Sequence, residues 1–189
     1  MDWRQIESIA PRAYTCGYCG KVAGPNQGYA TGSTHDRIYL CTYCGKPTYF
    51  DGPLATARQV PGVAYGNDVD HLPTDIEALY REARNCMAVS SYTAAVLVCR
   101  KLLMSIAVSE GAKEGKSFMS YVEHLAAQGY VPPKAHGWID HIRVKGNEAN
   151  HEIQLMDRKD AEELIMFLEM LLKLVYEFPS RVPPPPPAS

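Results

Sequence analysis

Two rhythms of hydrophobic and polar residues divide this chain near residue 72. Before that point, short apolar stretches such as Ile38-Tyr39-Leu40 and Thr48-Tyr49-Phe50 alternate with Gly, Pro and Asn, which predicts short strands and turns. Beyond it, apolar residues recur every three or four positions, which predicts helices. Ile76, Leu79, Tyr80, Ala83, Cys86 and Met87 share one face, behind the capping-box pattern Thr74-Asp75-Ile76-Glu77. Ser90-Ser91 interrupts that run, and a second helix follows from about Tyr92 to Val108. It is apolar on nearly every side, as expected of the central helix of a bundle. Ser117 opens a third helix, with Phe118, Tyr121, Val122 and Leu125 on one face and Gly129 at its end. Pro132-Pro133 starts a fourth, running through Trp138 and Ile142. A fifth begins near Asp157 or Asp160 and carries Leu164, Ile165, Phe167, Leu168, Leu171, Leu172 and Val175 as far as Pro179.

The fold class this predicts is mainly α, an antiparallel bundle of about five helices preceded by a small β module. The expected boundaries are residues 1–50 for the β module, 51–72 for an irregular Gly- and Pro-rich linker, 73–180 for the bundle and 181–189 for a tail. Pro183 to Pro187 lack backbone donors, so the tail reads as polyproline II or disordered, a solvated end or a docking peptide for a partner protein.

The β module carries the strongest chemical signal. Cys16-Gly17-Tyr18-Cys19-Gly20-Lys21 and Cys41-Thr42-Tyr43-Cys44-Gly45-Lys46 are two copies of one phrase, with 21 residues between the cysteine pairs. Each Cys-x-x-Cys can grip one metal through a tight turn, and the pair predicts a four-thiolate zinc ribbon with one structural Zn2+ per chain. A redox Cys-x-x-Cys or a pair of disulfides is the alternative. Four thiolates leave no open coordination position, so the expected role of the metal is to fold a partner-binding module. His35 lies between the pairs but has no vacancy to fill. Cys86 and Cys99 sit in helical patterns and read as buried thiols.

Composition narrows the function classes. The chain has 46% hydrophobic and 21% charged residues and a net charge of −2, ordinary for a globular protein. The charge is uneven: five Lys/Arg against three Asp/Glu in residues 1–50, fourteen against eighteen in residues 51–189. A strongly basic duplex-DNA footprint is therefore excluded, and any nucleic-acid contact is expected to be local. Met1-Asp2-Trp3-Arg4 does not resemble an export signal, and the run from Tyr92 to Val108, broken by Arg100-Lys101, reads as too short to span a bilayer. These features predict a cytoplasmic protein with no membrane partner. No phosphate loop, nucleophile elbow, HExxH or dinucleotide fingerprint occurs.

One polar stretch stands out in the helical half. In Ile142-Arg143-Val144-Lys145-Gly146-Asn147-Glu148-Ala149-Asn150-His151-Glu152, the residues Arg143, Asn147 and His151 are four apart and would line one face of a helix; a turn at Gly146-Asn147 would instead aim Asn147 and His151 from a helix N-terminus. A cation, an amide and an imidazole in one row can hold a phosphate and move a proton. The competing reading has Asn147 and His151 satisfying helix ends, and Arg143 pairing with an acid such as Glu82.

Three segments together resemble a known family: Leu72-Pro73-x-Asp75-Ile76-x-x-x-Tyr80-x-Glu82-Ala83-Arg84, Ala94-Ala95-x-x-x-x-Cys99-Arg100-Lys101 and Ile142-Arg143-x-x-Gly146-Asn147-x-x-x-His151-Glu152. They resemble a bacterial and phage domain-of-unknown-function family that also occurs in type I restriction subunits and often carries an N-terminal zinc ribbon. That family is grouped with the HEPN superfamily of helical bundles, and the resemblance covers about residues 72–180. It implies a HEPN-like bundle, a homodimer, and a role in phage defence or counter-defence through RNA, a nucleotide or a protein partner. Many HEPN proteins are metal-independent RNases with an Arg, usually followed by a polar residue, and a His four to six positions on. Here His151 and Asn147 match the His and the polar residue, while Gly146 fills the Arg slot and Arg143 lies three residues earlier. The expectation is thus a non-catalytic or weakly catalytic binding module. The alternatives are an endoribonuclease using His151, Asn147 and Arg143, and a structural adaptor.

Overall fold

The computed structural model describes residues 3–32, 35–53, 55–131 and 155–182. Its contacts divide the chain into two units, residues 1–64 with 87–90 and residues 65–86 with 91–189.

Among the described residues, seven strands build the first unit: β1 (Glu7–Ser8), β2 (Tyr14–Thr15), β3 (Val22–Ala23), β4 (Gln27–Ala30), β5 (Arg37–Leu40), β6 (Pro47–Asp51) and β7 (Arg58–Val60). Five form an antiparallel sheet in the order β1-β4-β5-β6-β7, and β2 and β3 pair as a separate hairpin. The register sets Gly28 opposite Tyr39, Tyr39 opposite Thr48, and Tyr49 opposite Val60. Gly28 has to be glycine: a Cβ there would lie 1.9 Å from the Ile38 carbonyl oxygen. The longest strand has five residues, so the sheet relies on what packs against it. Tyr14, Tyr39 and Phe50 form an edge-to-face cluster, with Phe50 5.1 Å from Tyr14 and 5.6 Å from Tyr39. Cys16, Ala23 and Cys41 complete this small core. The Arg12 guanidinium lies 4.0 Å from the Phe50 ring centroid, and the Tyr39 hydroxyl donates to the Ala10 carbonyl at 2.8 Å.

The second unit is helical: α1 (Thr74–Ala88), α2 (Tyr92–Ser109), α3 (Phe118–Ala127) and α4 (Arg158–Leu172). Helix α3 starts where Ser117 accepts the Ser120 N–H. A capping box between Asp157 and Asp160 starts α4. Rather than stopping at Pro179, α4 runs on through a π segment, Lys173–Glu177, into a last α turn, Phe178–Arg181. The core is made by Leu102, Leu103 and Ile106 of α2, Leu125 of α3, and Ile165, Phe167, Leu168, Leu171 and Leu172 of α4, all fully buried. Helix α2 is long and apolar enough by length and composition to cross a membrane. Its apolar face instead packs against α3 and α4. Residues 65–70 are strapped down: the Asn67 backbone N–H and side-chain amide donate to Glu169 at 2.9 and 3.0 Å, and Arg84 donates to the carbonyls of Tyr65 and Gly66.

The expectation of a mainly α protein with about five helices is corrected. Helix takes 44% and strand 14% of the described residues, in four helices and two antiparallel sheets, so the fold is mixed α/β. Strand segments of two to five residues carry no measurable period; long-range pairing forms them, not local preference. Arg58–Val60, expected within a linker, adds the seventh strand beside β6. The helix expected from Pro132 to Ile142 and the tail from Pro183 lie outside the described residues.

Candidate metal centre

Both knuckles are built alike. After each Cys-x-x-Cys the chain turns back at a glycine with positive φ, +69° at Gly20 and +68° at Gly45, where a side chain would strain the backbone. In the first, Cys16 N–H donates to the Lys21 carbonyl at 3.0 Å and Gly20 N–H to the Cys16 carbonyl at 2.9 Å. In the second, Cys41 to Lys46 and Gly45 to Cys41 repeat the same two distances. Turns of this kind aim both sulfurs of a pair at one point.

The two points coincide. Cys16, Cys19, Cys41 and Cys44 have their sulfurs within 4.8 Å of one another, close enough to hold one metal ion. Cys16 Sγ lies 3.8 Å from Cys44 Sγ, and Cys19 Sγ 3.8 Å from Cys41 Sγ. A zinc–sulfur bond of about 2.3 Å makes the edge of a thiolate tetrahedron about 3.8 Å, so the donor set fits zinc. All four cysteines are free thiols, and a disulfide requires sulfurs at about 2.0 Å.

Proton affinities describe how such a cluster fills. Burial pushes the Cys44 thiol up to about 12, with the sulfurs of Cys41, Cys19 and Cys16 adding to the rise. Burial also raises Cys16. At Cys41 burial is outweighed by hydrogen bonds from the Cys44 and Tyr43 backbone and from the Cys44 and Cys16 thiols, which bring it down to about 7. One thiolate is thus accessible near neutrality and further ones repel it; a divalent cation removes that obstacle and displaces the protons.

Several neighbours completing the site were not singled out in the sequence. The Trp3 indole N–H donates to the Gly45 carbonyl at 2.9 Å, closing the second knuckle. Lys21 Nζ sits 5.1 Å from the Tyr43 ring centroid, and Lys46 Nζ 4.8 Å from that of Tyr18. Each knuckle thus lends its lysine to the tyrosine of the other, a reciprocal arrangement that follows the doubled Cys-x-Tyr-Cys-Gly-Lys phrase. That repetition of Tyr and Lys was the available signal. Tyr18 and Tyr43 are 48% and 61% exposed, so this face is open.

Among the described residues, the four cysteines form the only cluster of potential metal ligands, and His35 lies exposed outside it. Arg143, Asn147 and His151 lie outside the described residues.

The class of protein defined here has a strand unit with a four-cysteine cluster that could hold a metal ion, and a helical unit. The chain belongs to the family described as Domain of unknown function (DUF4145), whose model matches residues 81–184. That match takes in α2, α3 and α4 whole. No curated protein and no solved structure matches the chain.

Proposed function

We propose that this protein is a non-catalytic binding module in which one structural zinc ion holds a recognition face, and that this face takes single-stranded nucleic acid. The observation carrying the reading is the reciprocal Lys21–Tyr43 and Lys46–Tyr18 pairing on an exposed surface. Two open aromatic rings offer stacking platforms for bases, and two lysines offer contacts for the connecting phosphates. The closed four-thiolate shell supports a structural metal. The slight positive excess of residues 1–50 suits a short-range contact better than duplex binding.

Fluorescence anisotropy with a labelled single-stranded RNA tests this. Tyr18→Ala and Tyr43→Ala each weaken binding by about 5- to 150-fold, from about 1–3 kcal/mol of stacking per base. Lys21→Ala and Lys46→Ala each flatten the salt dependence by about 0.7 of a log unit per log unit of salt. Absence of RNA binding by the wild type overturns the reading and moves the face to a protein partner. The same samples, run on a gel in chelator, decide the endoribonuclease alternative. Cleavage by wild type and not by His151→Ala assigns it to His151. Intact RNA removes it.

The HEPN-like character, the kinship with restriction subunits and the role in phage defence belong to the same proposal, as do the cytoplasmic location and the homodimer. For the dimer there is a physical support. Met166, Met170, Leu174 and Phe178 run along α4 beside a cavity of about 580 Å3, with Met166 45% and Phe178 48% exposed. Residues four apart drift round an α-helix, and the wider π turn at Lys173–Glu177 counteracts that drift, holding the apolar stripe to one side. A second copy of the chain would cover it. Light scattering should give twice the chain mass, and Phe178→Glu should reduce it to one; a wild-type monomer discards the dimer.

A further inference from the structure

Helix α2 contains an arginine where only apolar side chains are expected. Arg100 is 5% exposed, between Cys99 at 0% and Leu102 and Leu103 at 0%. Its guanidinium carbon lies 4.1 Å from the ring centroid of Phe118, the first residue of α3. Nη1 is fully buried and meets no hydrogen-bond acceptor among the described residues. Burial lowers its proton affinity, and no carboxylate among the described residues raises it again.

That environment differs from those of the other described arginines of this unit. Arg84 donates to two carbonyls and to Asp68, and Arg81, Arg158 and Arg181 each pair with a glutamate. A buried charge is ordinarily paired, because an uncompensated one costs several kcal/mol. Arginine cannot escape by deprotonation. The Phe118 ring engages one face of the guanidinium, but the five N–H donors lie in its plane and point past the ring. A planar fork of this kind matches the oxygens of a carboxylate or phosphate two at a time. Phe118 also places the cation beside the N-terminal turn of α3, where the peptide dipoles favour negative charge.

We propose that Arg100 anchors an oxyanion site in the helical unit and that its ligand is a phosphate group, free or carried by a nucleotide. Entry requires the Phe118 ring to rotate off the guanidinium. The bound anion supplies the acceptor that Nη1 lacks, in surroundings of low polarity where the pairing is strong. This site is separate from the thiolate cluster and does not rest on the nucleic-acid reading of the knuckle face.

The test uses the full zinc-loaded chain and the variants Arg100→Met and Arg100→Lys. Melting temperature is followed against inorganic phosphate and, separately, against adenosine 5′-monophosphate. Both raise the wild-type melting temperature with saturation; tighter binding of the mononucleotide identifies a nucleotide source, equal binding the free ion. Arg100→Met weakens both by about 10- to 100-fold, the value of a charged hydrogen bond. In phosphate-free buffer it melts no lower than wild type, because an unpaired charge has been removed. Arg100→Lys retains the charge, loses the fork and binds with intermediate affinity. Tyr18→Ala leaves the phosphate response unchanged, which separates this site from the knuckle face. The proposal is overturned if phosphate has no effect on wild type or acts equally on Arg100→Met. It is equally overturned if Arg100→Met fails to fold or melts several degrees lower without phosphate, since an acid of the chain itself, such as one within residues 132–154, then neutralises the guanidinium.

Discussion

Replacing Cys41 or Cys44 by serine is expected to remove one metal ion per chain and unfold the strand unit while the helical signal persists. The reason is the size of the core around the metal. Tyr14, Cys16, Ala23, Tyr39, Cys41 and Phe50 make up its buried part, and two of these six belong to the four-cysteine cluster. Strands of two to five residues cannot hold that cluster closed, whereas structural zinc contributes about 10–16 kcal/mol in small metal-folded peptides. Serine leaves three thiolates and a poor oxygen donor. Metal analysis beside circular dichroism reads the result: one zinc per wild-type chain, less than one in the variants, with the loss confined to the strand and aromatic signals. A wild type without zinc, or a variant retaining a full equivalent, contradicts the assignment. Acid acts in the same direction. A metal ion binds the thiolates and not the thiols, so any stabilisation it supplies is lost as pH falls and protons displace it. Metal release should accompany unfolding of this unit, and zinc should be retained longest at neutral to alkaline pH.

The second large effect distinguishes two positions that the repeated phrase makes look equivalent. Gly17 and Thr42 both follow the first cysteine of a knuckle. A Cβ on Gly17 would lie 2.3 Å from the Gly62 carbonyl oxygen and 2.5 Å from that of Pro61. Both are backbone atoms, which cannot rotate away. Thr42 faces solvent. Gly17→Ala is therefore expected to destabilise the strand unit by at least about 1–3 kcal/mol, the usual range for overpacking. Thr42→Ala should stay within about 0.5 kcal/mol of wild type. Thermal melts of both variants with zinc in excess make the comparison, and equal melting temperatures would show that the Pro61–Gly62 backbone does not pack on the first knuckle as described.

These two cases show what could be read before folding. The four-cysteine cluster was legible because a Cys-x-x-Cys-Gly turn is a local device: its sulfurs converge through bonds within six residues. Helices α2, α3 and α4 were legible for a related reason, since the apolar spacing that buries Leu102, Leu125 and Leu168 is a short-range pattern. The sheet was less so. Arg58-Gln59-Val60 has no strand period, and becomes β7 through pairing with β6 and through the Gln59 amide donating to the Thr15 carbonyl at 2.8 Å. The π segment that carries α4 past Pro179 likewise has no sequence signature.

By itself, then, the order of residues determined which side chains are capable of holding a metal and which faces of the helices are apolar, because both depend on neighbours a few positions away. Only the tertiary structure decided that Lys21 meets Tyr43 and Lys46 meets Tyr18, that Gly17 and not Thr42 is covered, and that Arg100 is enclosed against Phe118. Those relations join residues 18 to 45 positions apart, and their energies come from burial and close approach, which exist only once the chain has closed on itself.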